Sequence, residues 1–164
     1  MPASTPSDTP LPAPSSDAVD AATALAQVLA FFAQLQVADL DRLDAFYTPD
    51  AQFKDPFNEV VGVPAIRRIF AHMFETLVSP RFVITQSVQQ GPQCFVTWDF
   101  VFALRSAPTQ TFTVRGASHL VLTPHEGGWR VAVHRDYWDA AEELYEKLPV
   151  LGALMRWLRR RLQA

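Results

Sequence analysis

The sequence predicts an α+β fold, and three observations carry that prediction. Apolar residues recur at helical spacing through the amino-terminal part of the chain. From Arg81 onward the period changes to two, the alternation of half-buried strands. The connectors between the alternating stretches, "QQGP", "RSAPT" and "PHEGG", are short and turn-like, so successive strands pair as antiparallel hairpins. Helices first and strands afterwards is an α+β arrangement.

The opening "MPASTPSDTPLPAPSSD" is dominated by proline, serine and threonine. It can bury almost nothing and is expected to be a disordered lead over residues 1–16. It has neither the basic start nor the apolar stretch of a secretory signal. Asp17 is a candidate N-cap for "AVDAATALAQVLAFFAQLQ", where Leu25, Val28, Leu29, Phe32 and Leu35 share one face. "DLDRLDAFY" reads as a second, short helix that buries Leu40, Leu43 and Phe46. "AQFKDP" follows as a short extended piece, because a residue before proline is pushed out of helical space. "VPAIRRIFAHMFETL" is the third helix, with Pro64 near its start and Ile66, Ile69, Phe70, Met73 and Leu77 inward. Four strands are then expected: "RFVITQSV", "QCFVTWDFVFAL", "QTFTVRGASHLVLT" and "WRVAVHRDYWD". Residues 140–164 return to a helical pattern, broken near Pro149.

Composition narrows the function classes. At 164 residues with 49% hydrophobic and 19% charged, the chain can bury one proper core. Its 12 Phe, 4 Trp and 3 Tyr point either to an unusually aromatic core or to a cavity with aromatic walls. A net charge of -3 gives no general case for nucleic acid. The lone Cys94 lies in an apolar run and cannot form an internal disulfide, which with the missing signal points to a reducing, cytoplasmic setting. No apolar run approaches the roughly eighteen residues that a bilayer span requires.

With three helices leading into a run of hairpins, "ADLDRLDAFYTPDAQFKDP" resembles the helix-turn-strand segment of the nuclear transport factor 2-like superfamily. That superfamily includes ketosteroid isomerase and the SnoaL-like polyketide cyclases. The resemblance covers residues 17–139 and implies a cone-shaped, curved antiparallel sheet covered by three N-terminal helices. The additional C-terminal helix, 140–164, lies outside it. In the isomerases the segment ends in an Asp-Pro general base, a position matched here by Asp55 before Pro56. Counting back without a gap puts Phe31 where the isomerases have an oxyanion-hole tyrosine, and Ser118 falls where they have a protonated aspartic acid. Two of three catalytic parts are thus replaced, which argues against steroid isomerisation by the familiar mechanism.

Alternation supplies the rest of the candidate site. Centring the last hairpin near His125 and Glu126 pairs Ser118 with His134 and Gly116 with Asp136, all facing the cone together with Trp138. Arg135 and Tyr137 then face outward. In "CFVTWDFVF" the Cys94, Val96, Trp98, Phe100 and Phe102 side is assigned inward, with Asp99 outward at the surface or a dimer interface. Asp55, His134 and Asp136 are the candidate catalytic groups, able to move protons near neutral pH. Phe31, Phe57, Val96, Trp98, Phe100, Ser118 and Trp138 are the candidate ligand-binding residues. The competing reading gives Asp55 to its own turn, since Asp before Pro accepts nearby backbone amides, and lets His134 and Asp136 satisfy each other. "HRD" has no second histidine at ligand spacing, so no metal is expected, and the reading calls for no cofactor.

Three functions compete. The first is a cofactor-independent isomerase, cyclase or dehydratase acting on a small apolar, cyclic molecule. The second is a non-catalytic cone that binds such a molecule. The third is an interaction module: a homodimer through the convex sheet face, with a basic tail. In that tail Leu151, Leu154, Leu158 and Leu162 form a stripe beside Trp157, Arg156, Arg159, Arg160 and Arg161. Such a helix can lie on an anionic membrane surface, or pack its stripe on this sheet or on a second subunit.

Overall fold

The computed structural model describes residues 16–139 apart from Gly127. The proline-rich lead up to residue 15 and the extension over 140–164, expected to be helical, lie outside the described residues. Helix α1 (Ser16–Ala33) is followed by a 3-10 helix (Val37–Ala45), where the sequence predicts a short α-helix. Strands β1 (Tyr47–Lys54) and β2 (Glu59–Val61) then form a hairpin, and α2 (Val63–Thr76) follows. Gly62 makes the sharp entry into α2 at φ 91, a conformation that side chains disfavour, while its N–H bonds Ala51 O. The chain continues through β3 (Leu77–Gln90), β4 (Gln93–Leu104), β5 (Ala107–His125) and β6 (Gly128–Tyr137).

The six strands form one open sheet in the order β2-β1-β6-β5-β4-β3. The four hairpin-linked strands are antiparallel as expected. The sheet as a whole is mixed, because β1 lies parallel to β6, with Phe53 beside His134. Helices α1 and α2 cover one face. The apolar face of α1, Leu25, Val28 and Phe32, with Leu35 just past its end, and that of α2, Ile66 and Phe70, meet the inward side of β4 and β5 in a single core. Asp99 faces away from this core, within 4.0 Å of Arg115.

The last hairpin corrects the expected pairing. Ser118 lies opposite Asp136, and Leu120 opposite His134. The turn falls one residue later, with His125 opposite Gly128, and a bulge between Val121 and Leu122 adds a second offset. Two single-residue offsets compound to two, and an even slip keeps every side chain on its face. Ser118, His134 and Asp136 therefore share the concave side despite the wrong partners.

Candidate functional site

A hydrogen-bonded chain runs through the concave face. Tyr47, at the start of β1, is fully buried, and its hydroxyl lies 2.5 Å from His134 Nδ1. His134 Nε2 lies 2.9 Å from Asp136 Oδ1. The Ser118 hydroxyl donates to the same Asp136 oxygen at 2.5 Å and accepts from Trp98 Nε1 at 2.8 Å. Burial first, and the Asp136 charge second, push the Tyr47 phenol well above its ordinary range, so it stays protonated. With the phenol donating to His134 Nδ1, the imidazole carries its proton on Nε2 and points that N–H at Asp136. Phe32 and Phe53 hold the imidazole edgewise at 5.6 and 5.0 Å between ring centres. Both donors reach Oδ1, which leaves Oδ2 bonded to neither of them.

Asp136 stands at the neck between two chambers. The inner one, about 30 Å³, has room for a water molecule or two and is lined by Ser118, His134 and Asp136 among apolar groups including Leu29, Phe32 and Leu120. The outer one, about 330 Å³, is walled by Phe53, Phe70, Phe82, Trp98, Phe100 and Phe102, with Asp55, Phe57 and Trp138 also lining it. The Asp136 side chain is 15% exposed. Phe70, Phe82, Trp98 and Asp136 line both chambers, and the Trp98 indole packs against Gly116. A Cβ at Gly116 would come within 2.3 Å of the ring. Among the described residues no three His, Cys, Asp or Glu side chains gather as a metal site would require. No described helix is long and apolar enough to cross a membrane.

A family model described as SnoaL-like domain matches residues 28–134, more than half of the chain. The chain belongs to the SnoaL-like domain family. Solved structures agree at the level of the fold. A protein of Jannaschia sp. CCS1 assigned as a SnoaL-like polyketide cyclase superposes with a TM-score of 0.61 at 17% identity, covering 80% of this chain and 93% of that one. An LEH-like epoxide hydrolase of M. tuberculosis gives 0.60 at 18% identity, covering 87% and 98%. A ketosteroid isomerase-like protein of Catenulispora acidiphila DSM 44928, solved with trimethylamine, gives 0.60 at 18% identity, covering 71% and 88%. A search of curated proteins finds no match.

Within this SnoaL-like domain the structure separates the candidate residues into three groups. His134, Asp136, Ser118, Trp98 and Val96 meet around the inner chamber. Phe100, Phe57 and Trp138 line the outer one, where Phe57 meets the Trp138 ring edge at 5.3 Å. Phe31 stands apart. It lies one position round α1 from the inward Phe32, stacked on Phe46 at 4.1 Å beneath the Arg42 guanidinium. Counting residues back from Asp55 takes no account of which way a helix turns its side chains. The expectation that Phe31 lines the cavity is therefore corrected to Leu29 and Phe32.

Asp55 is at the lip of the outer chamber, but its carboxylate is occupied. Oδ1 accepts the N–H of Phe57 at 2.7 Å, the N–H of Asn58 at 2.6 Å and the Asn58 side-chain amide at 3.1 Å. Oδ2 accepts the same amide at 3.0 Å, and Asp55 N–H donates to Asn58 O at 2.9 Å. This closes the four-residue turn that joins β1 to β2. His119 faces outward, stacked on Phe95 at 4.6 Å and bonded to Gln93. Buried Cys94 has its thiol pushed up by desolvation and serves as packing. Tyr47 is the site residue that sequence reasoning missed. In "DAFYTPD" it reads as the end of a helix, and its partner lies 87 residues away.

Proposed function

We propose that this SnoaL-like protein is a cofactor-independent proton-transfer enzyme, of isomerase, cyclase or dehydratase type, with Asp136 as its base. The observation that carries the reading is a carboxylate on the wall of an aromatic cavity, with one oxygen pinned by Ser118 and His134 and the other engaged by neither. A pinned base meets its substrate in one geometry, which is what general-base catalysis needs. As Asp136 takes a proton at Oδ2, Ser118 and His134 keep the carboxyl group from rotating away. Trp98 holds the Ser118 hydroxyl in turn, and Tyr47 holds the imidazole tautomer. The base role passes from Asp55 to Asp136 because a proton arriving at Asp55 would compete with the amides that close its turn.

The cavity suits a small apolar molecule of cyclic size with an acidic C–H. The direct test is deuterium exchange at the α-carbons of a panel of cyclic ketones, followed by NMR. Exchange that Asp136→Asn slows by about a hundredfold or more, and that survives Asp55→Asn, supports the assignment. Exchange that Asp55→Asn abolishes and Asp136→Asn spares refutes it.

A second reading, a cavity that binds without turnover, draws support from one observation. The side-chain donors around Asp136 are already engaged, so the enolate of a neutral ketone would find none waiting for its charge.

A further inference from the structure

What the cavity offers a ligand is unbalanced in charge. Trp98 Nε1–H is engaged by Ser118, the Ser118 hydroxyl and His134 Nε2–H by Asp136 Oδ1, and the Asn58 amide by Asp55. At the rim, the Thr76 hydroxyl donates to backbone carbonyls, while His72 is exposed to solvent. Beside the exposed His72 imidazole, Asp136 Oδ2, which as a carboxylate oxygen accepts, is what remains to greet a guest.

No lysine or arginine lines either chamber among the described residues. The two nearest along the chain, Lys54 and Arg135, line an open groove that Asp136 also borders. There Lys54 pairs with Glu59, and the Arg135 guanidinium lies over the Tyr137 ring at 5.0 Å on the outer face. Lysine and arginine, which neutralise many buried carboxylates, thus line neither chamber, and Asp136 Oδ1 is held there by Ser118 and His134. The surrounding walls are aromatic, and the faces of such rings attract cations.

We infer that the substrate is a compact apolar amine, cationic at neutral pH, held with its charge toward Asp136 and its hydrocarbon frame against the aromatic walls. The inference rests on Asp136 as the working carboxylate and names the class of molecule it serves. It also answers the difficulty of the missing oxyanion donor. In an amino ketone, Asp136 Oδ2 takes the α-proton, the C–H pair becomes the C=C of the enolate, and the carbonyl π pair moves to oxygen. The substrate's own ammonium group then offsets that negative charge, a service the cavity's side chains do not provide.

A matched pair of probes tests this: tropinone, a bicyclic amino ketone protonated at neutral pH, and bicyclo[3.2.1]octan-3-one, its neutral carbocyclic counterpart. Binding of each is measured by NMR titration to the full chain and to Asp136→Asn. The expected result is at least about tenfold tighter binding of tropinone by the wild type, the scale of one desolvated cation–aromatic contact or more. In Asp136→Asn that preference collapses. Equal or tighter binding of the neutral ketone by the wild type overturns the inference, and that comparison needs no variant. A preference that persists in Asp136→Asn overturns it as well. Reading α-deuterium exchange in the same samples separates the two claims. Asp136-dependent exchange of the neutral ketone without cation preference leaves the base standing and removes the amine. Cation preference without exchange of either probe leaves the amine as a ligand and removes the base.

Discussion

At the residue scale the difference between the two aspartates is which carboxylate oxygen is left unengaged. Asp55 and Asp136 both line the outer chamber, yet the hydrogen bonds of Asp55 run to its own turn and those of Asp136 leave Oδ2 open. Tyr47 is the residue whose removal tests the support behind that oxygen. Tyr47→Phe keeps the ring and leaves His134 Nδ1 buried without its donor, a loss of about 1–3 kcal/mol in urea unfolding. The same variant has a signature in alkali. Burial and the Asp136 charge keep the phenol protonated in the fold beyond pH 10, where the unfolded chain releases its proton. The folded state then binds more protons than the unfolded one, so stability falls as pH rises above about 10. Tyr47→Phe should flatten that fall, and an unchanged alkaline slope would show that Tyr47 does not carry it.

At the element scale the decisive contact is between β4 and β5, where Trp98 lies over Gly116. Gly116→Ala places a methyl group inside van der Waals distance of the indole, so the ring must move and its bond to Ser118 is lost. Overpacking of this kind costs about 1–3 kcal/mol, read as a lower Tm together with a shifted Trp emission. An unchanged Tm and spectrum would mean that the ring has room after all. Most of this architecture was legible in the sequence, because alternation along β4 and β5 assigns faces without assigning partners. That is why Ser118, His134 and Asp136 fell on one side although the register was off by two. Illegible were the short β2, the parallel docking of β1 on β6 and the place of Tyr47. Each depends on a pairing between distant segments, which local periodicity does not encode. Phe31 failed for the opposite reason, since a residue count was asked to do the work of a helix face.

At the scale of the whole molecule, one sheet does two jobs. Its concave face and the helices enclose the cavity. Its outer face presents Phe95 and Tyr137, about half exposed, with Val88 more so, beside the stacked His119. Pairing of that face with a second copy is the expectation, and Phe95→Glu should shift sedimentation toward the monomer. A wild type that sediments as a monomer at all concentrations would rule it out. None of this bears on the central claim, which concerns a proton. The measurement that reaches it most directly is α-deuterium exchange of cyclic ketones, tropinone among them, by the wild type, Asp136→Asn and Asp55→Asn. The account predicts exchange that Asp136→Asn lowers by about two orders of magnitude or more and that Asp55→Asn largely retains. Exchange lost with Asp55 and kept without Asp136, or no exchange from any member of the panel, would contradict it.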